Sequence, residues 1–194
     1  LSVTPYYNKT TQRGLLAHYT AIADSCDLPI ILYNVPSRTG VCFTADTLLE
    51  LSKHPNINGI KAASGNFTLL AETMAKCGGD LNVWSGNDDQ IVPMMALGGK
   101  GVISVLSNVA PQETHDLTQL CFENRYPEAA AMQLKYHNLI DALFCEVNPI
   151  PVKKAMELLG WNPGPLRLPL VEPSEEHTAY IQRELAAVGC RIEL

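Results

Sequence analysis

Lys61 ends a short apolar run, Ile57-Asn58-Gly59-Ile60-Lys61, and is followed by Ala62-Ala63-Ser64-Gly65. A lysine among small and apolar neighbours at a strand end has no evident ion-pair partner. Desolvation disfavours its ammonium form, and a neutral amine attacks a carbonyl to form a Schiff base. Upstream lie two segments rich in tyrosine, Thr4-Pro5-Tyr6-Tyr7-Asn8 and Leu32-Tyr33-Asn34-Val35-Pro36, with Arg38 after the second. Phenols carry protons, and a guanidinium clamps a carboxylate. Together these residues form the kit of an imine-forming enzyme acting on a small keto acid.

Positioning such groups requires strand tips that converge. Strands are expected at Leu1–Thr4, Ile30–Asn34, Ile57–Lys61, Leu81–Ser85 and Gly101–Val105, each short, apolar and ending in polar residues. Between them, Arg13–Ser25, Ala45–Lys53, Phe67–Lys76 and Asp89–Leu97 carry apolar residues at helical spacing, as in Leu15, Tyr19 and Ile22. Thr44 is placed to cap one helix, and Gly78-Gly79 and Gly98-Gly99 end two others. The alternation predicts βα units of a parallel sheet. No G-x-G-x-x-G turn supports a dinucleotide-binding sheet. Every strand tip delivers polar or reactive residues, which favours a (β/α)8 barrel.

Four helices are predicted beyond the last strand: Gln112–Glu123, Pro127–Phe144, Pro151–Leu159 and Ser174–Val188. Pro151 suits a first turn. Ser174 caps its helix, with Glu175 and Glu176 favourably placed at the positive end of the dipole. The first of the four closes the last βα unit. The expected division is therefore residues 1–125 as five βα units and 126–194 as a C-terminal helical extension. Five strands fill only part of a closed barrel, so three further βα units are expected before Leu1.

Composition narrows the function classes. The 194 residues are 46% apolar and 18% charged, with net charge −6 and a pI near 5.3. No basic stretch suits a run of phosphates, so nucleic-acid binding is not expected. Six cysteines are scattered without a C-x-x-C pair, which fits a reduced, cytoplasmic setting. The five histidines show no metal-ligand spacing. No metal, no cofactor and no membrane span are expected.

The segments VTPYYN, ILYNVPSRTG, GIKAASGN, SGNDD, GGKGVISV and NPIPVK occur in this order along the chain. In sequence and spacing they resemble the dihydrodipicolinate synthases, pyruvate-dependent class I aldolases related to N-acetylneuraminate lyase. The match covers barrel strands four to eight and the C-terminal helices. It implies that Lys61 is the Schiff-base lysine and Tyr33 the acid/base phenol. Tyr7 matches a second tyrosine, supplied to the neighbouring subunit's site and linked to the first by a threonine expected before Leu1. Arg38 matches the clamp on the aldehyde's carboxylate, Gly86 and Ile103 line the pyruvate end, and Tyr6 borders an allosteric lysine pocket. The implied reaction joins pyruvate to aspartate 4-semialdehyde in a homodimer or homotetramer. A sialic-acid lyase would share Lys61 and Tyr33 but generally lacks the arginine at 38. A chain without its first three βα units would be an inactive fragment.

Overall fold

The computed structural model describes residues 1–192. The chain divides into two compact units, Leu1–Ile103 and the remainder from Ser104.

The first unit is built on four parallel strands in sequential order: β1 (Ser2–Val3), β2 (Ile30–Asn34), β3 (Ile57–Ala62) and β4 (Asn82–Ser85). The helices between them are α1 (Gln12–Asp24), α2 (Pro36–Thr39), α3 (Ala45–Ser52) and α4 (Phe67–Cys77). A 3-10 turn at Asp88–Gln90 and α5 (Ile91–Ala96) follow β4. Alternation along each strand decides what each face holds. Ile30, Leu32, Ile57, Ile60, Leu81 and Val83 join Leu15, Tyr19, Leu48, Leu51 and Leu70 from the helices in one buried core. Each such aliphatic side chain stabilises the unit by about 1.5–3 kcal/mol. Intervening residues of the same strands, Ile31, Tyr33, Gly59, Lys61, Asn82 and Trp84, lie on the opposite face.

Two local expectations are corrected. The fifth strand, expected over Gly101–Val105, is reduced to a single parallel bridge between Ser85 and Val102. Gly101 sits at φ +123°, and Val105 already caps a 3-10 turn, Leu106–Asn108. The β-branched residues favour a strand, but the backbone leaves extended conformation on either side. Pairing persists only through Lys100 N–H to Val83 O, Ser85 N–H to Gly101 O and Ile103 N–H to Ser85 O. The helix expected at Asp89–Leu97 is broken into the 3-10 turn and α5.

The caps behave as their residue types dictate. Thr44 accepts from Thr47 N–H at the start of α3, and Asn66 accepts from Leu69 N–H at the start of α4. Gly78 ends α4 at φ +54°.

The second unit is helical: α6 (Pro111–Phe122), α7 (Tyr126–Ala142), α8 (Ile150–Leu158) and α9 (Glu175–Ala187). Its core holds Leu106, Tyr136, Leu139, Leu143, Val152, Ile181 and Leu185, among others. Ser174 Oγ accepts from His177 N–H as the α9 cap. The Glu146 carboxylate reaches the same turn, accepting from Ser174 N–H at 3.0 Å and meeting His177 Nδ1 at 2.6 Å. Among the described residues no helix is long and apolar enough to cross a membrane. The architecture is α/β, with the parallel sheet of a partial (β/α)8 barrel followed by helices.

Candidate active site

Register places the reactive groups. β2 and β3 shift by one residue between Ile30 and Ile31, after which Tyr33 pairs with Lys61. On the far side of β3, Lys61 pairs with Trp84 of β4. Tyr33, Lys61 and Trp84 thus form a row across the sheet on the face away from the helices. Lys61 Nζ lies 4.4 Å from the centre of the Tyr33 ring, within range for a cation–π contact when the amine is charged.

Small residues shape the space around that amine. A Cβ at Gly59 would sit 2.4 Å from the Asn82 carbonyl oxygen and 2.5 Å from Trp84 Cζ3. The indole therefore occupies the volume over Gly59, one layer beneath Lys61 on the same face. A Cβ at Gly86 would lie 2.7 Å from Ala63 Cβ and 3.0 Å from Lys61 Cε. Gly86 is thus pressed against the lysine stem, and its N–H donates to Ala62 O at 2.8 Å. Ile103 is held beside it through its N–H to Ser85 O. The N–H groups of Gly86 and Ile103 are thus both engaged within the sheet.

The electrostatics follow from this packing. Burial is the largest influence on Lys61 and lowers its pKa below the usual 10.5; the Asp88 carboxylate pulls it back up, and the Arg38 guanidinium pushes it down. Burial raises the Tyr33 phenol above 10, opposed by Arg38. At neutral pH the pair therefore consists of a phenol that keeps its proton and an amine more readily neutral than a surface lysine. That combination suits attack on a carbonyl with the phenol as proton donor.

Arg38 is carried by α2, a single turn started by Pro36 and ended by Gly40 at φ +68°. The sequence showed no periodicity for so short a helix. Its guanidinium lies in electrostatic reach of both Lys61 and Tyr33. Lys61, Tyr33, Arg38 and Gly86 are thus brought together, with Ile103 adjoining. Tyr6 and Tyr7 are not. They stand exposed, Tyr7 at 90%, with Tyr7 in left-handed backbone at φ +62°.

Sequence reasoning missed Asp88, which is 2% exposed. It lies inside the SGNDD segment, so a carboxylate just past a strand tip was the available signal. Trp84 and Gly59 were missed because their roles depend on cross-strand neighbours. Among the described residues no group of His, Cys, Asp and Glu could hold a metal ion.

Comparison with known proteins finds relatives along nearly the whole chain. The model of the dihydrodipicolinate synthetase family matches residues 1–188. The chain is 51% identical over 193 residues to the 4-hydroxy-tetrahydrodipicolinate synthase of Caldicellulosiruptor saccharolyticus, covering 100% of this chain and 65% of that protein. A 4-hydroxy-tetrahydrodipicolinate synthase of Clostridium perfringens is 49% identical over 97% of this chain and 65% of its own. Among solved structures, dihydrodipicolinate synthase from Aquifex aeolicus superposes with a TM-score of 0.96 at 40% identity, covering 99% of this chain and 66% of that one. The enzyme from Thermotoga maritima gives 0.94 at 41% identity, covering 97% and 65%. The chain spans about 65% of the length of the curated relatives it matches. On the family model and on these likenesses, the chain belongs to the dihydrodipicolinate synthetase family.

Proposed function

We propose that the protein condenses pyruvate with L-aspartate 4-semialdehyde through a Schiff base on Lys61, yielding 4-hydroxy-tetrahydrodipicolinate for lysine and diaminopimelate biosynthesis. The observation that carries the reading is the Lys61 amine, with its pKa lowered by burial, set directly opposite Tyr33.

Neutral Lys61 attacks the ketone carbon of pyruvate. Tyr33 supplies a proton as the carbinolamine loses water, and the resulting imine acidifies the methyl group. Loss of a methyl proton gives an enamine, whose carbon adds to the aldehyde. Arg38 holds the aldehyde substrate's carboxylate, a task suited to its planar fork. The substrate's amino group then attacks the imine carbon, closes the ring and releases Lys61 as the free amine. Gly86 and Ile103 line the pyruvate end with carbonyls. The lysine imine is itself the electron sink, so the scheme runs without a cofactor.

Tyr7 acts in a second copy of the chain, as its exposure on its own subunit allows, and the working unit is a homodimer or homotetramer. Tyr6 borders an allosteric lysine pocket. Residues 1–125 form the barrel repeats and 126–194 the helical extension, in a cytoplasmic enzyme.

The test is borohydride trapping. The intact protein with pyruvate should gain one reduced pyruvyl adduct, located at Lys61 by peptide mass and absent in Lys61→Ala. An adduct that survives Lys61→Ala would refute the assignment. Turnover with aspartate semialdehyde and none with N-acetylneuraminate would support this condensation, and the reverse result would favour a sialic-acid lyase.

A further inference from the structure

Thr39 precedes Gly40 and is 5% exposed, and its hydroxyl is the hub of a buried network. It accepts from Thr4 Oγ1 at 2.9 Å and from Val41 N–H at 3.3 Å. Its own proton lies between Val41 O at 3.1 Å and Val35 O at 3.3 Å. A hydroxyl offers one proton and two lone pairs, so its capacity is filled. Thr4 is 0% exposed, and its backbone N–H donates to Tyr33 O at 3.2 Å. One pair of threonines therefore joins the end of β1, the end of β2 and both flanks of α2.

A four-residue helix cannot hold itself, because nucleation is unfavourable and too few bonds follow it. Within α2 the N–H groups of Arg38 and Thr39 both go to Val35 O, and Gly40 N–H goes to Pro36 O. Thr39 adds a polar anchor to the rest of the unit, beside the buried Val35 and Val41 that flank the turn. A second tie lies beside it: Lys9 packs so closely over Gly40 that a Cβ there would sit 2.8 Å from Lys9 Cε. The stretch from Thr4 to Lys9, which includes Tyr6 and Tyr7, is thus fastened to the turn that presents Arg38.

We infer that Thr39, through its bond to Thr4, is a positioning residue that sets Arg38 for the carboxylate of the acceptor aldehyde. The inference rests on the proposed function. A two-pronged grip by a guanidinium needs both N–H directions aligned, so loosening α2 weakens it first. Lys61 is held in place by its pairing with Tyr33 and Trp84, so the change reaches imine formation only through the Arg38 charge, the smallest of the influences on the amine.

Thr39→Val keeps the shape and deletes the hydroxyl. In the intact protein its KM for aspartate semialdehyde should rise about tenfold, with the pyruvate KM and the borohydride-trapped adduct within about twofold of wild type. Thr39→Ser restores the hydroxyl and should return the acceptor KM to within about twofold. If Thr39→Val does not fold, Thr4→Val, which removes one bond of the hub, decides, with an expected rise of about threefold in the same constant. A purely structural threonine would lower the active fraction, so kcat and adduct yield would fall together while both KM values stayed put. That pattern, or an acceptor KM that does not move, overturns the inference while leaving the Lys61 chemistry standing. Absence of a pyruvate adduct in the wild type overturns both.

Discussion

Gly86→Ala probes the lysine's packing most directly. The added methyl would stand 2.7 Å from Ala63 Cβ, about 0.7 Å short of the 3.4 Å where ordinary van der Waals contact begins. Ala63 Cβ is fixed to the backbone and has no rotamer to retreat into. The other neighbours, Lys61 Cε at 3.0 Å and Ala62 O at 3.2 Å, are tight by a few tenths of an ångström. The chain must move, and overpacking of this size costs about 1–3 kcal/mol. Part of the movement falls on the lysine stem, because Cε is the only flexible group among the three. A nucleophile displaced by about 1 Å loses up to about a hundredfold in rate. Initial rates of borohydride-trapped adduct at saturating pyruvate, read by intact mass, should therefore fall about tenfold to a hundredfold. Gly79→Ala, with nothing within 4 Å of the new methyl, serves as the control and should leave the rate unchanged. A destabilised Gly86→Ala protein that forms adduct at the wild-type rate would show that Gly86 is merely a turn glycine, and the account of the lysine's surroundings would be wrong.

The charges around Lys61 give a test with two signs. Removing the Asp88 carboxylate (Asp88→Asn) lowers the lysine's pKa further and moves the pH midpoint of adduct formation to lower pH, whereas Arg38→Gln moves it higher. Shifts in the same direction would contradict the assignment. Because the native pKa lies below 10.5, the unfolded chain binds more protons between the two values. The Lys61 contribution to stability therefore rises with pH across that window and is unfavourable below it, which urea titrations of wild type against Lys61→Met would detect. Gly59→Ala should lower stability by about 1–3 kcal/mol, and Trp84→Leu should not rescue it, because the Asn82 carbonyl still blocks the methyl. Ser174→Ala removes the α9 cap and should lower stability by about 1 kcal/mol, leaving pyruvate trapping unaffected.

The chemistry was more legible in the sequence than the packing that serves it. Lys61 became a candidate because it ends an apolar strand within the GIKAASGN segment, and Arg38 because it follows a tyrosine-bearing strand tip within ILYNVPSRTG. Their side-by-side placement could not be read, since the one-residue shift between Ile30 and Ile31 sets which residue faces Lys61, and no local pattern encodes it. The helices α1, α3 and α4 were legible from periodic apolar residues, whereas α2 is too short to show a period. Val102-Ile103 reads as strand by type, yet the backbone at Gly101 confines it to one bridge. Thr4 and Thr39 are 35 residues apart, and nothing at either position announces the other. Local propensity reports what a segment prefers; hubs and registers are decided by which segments meet.

Comparison among the lysines of this chain sets position 61 apart, in keeping with the role proposed for it. Lys76 bonds to Asp46, and that hydrogen bond raises its pKa. Lys154 reaches Glu157 at 2.6 Å and Glu172 at 3.0 Å, and its pKa is raised chiefly by Glu157. Both amines are ion-paired cations whose partners favour the charged form, so neither is a nucleophile near neutral pH. Lys61 has the same side chain and the opposite shift. Its neighbours are the Tyr33 ring and Gly86, with Trp84 paired alongside. None of these offers the amine a carboxylate. The Asp88 carboxylate opposes the desolvation without reversing it. An amine held wholly neutral could attack a keto acid but would not attract its carboxylate, and one held fully charged could attract but not attack. Burial and Arg38 favour the neutral amine while Asp88 favours the charged one, and a chain that substituted a larger residue at 59 or 86 would have to rebuild the strands around it to keep that balance.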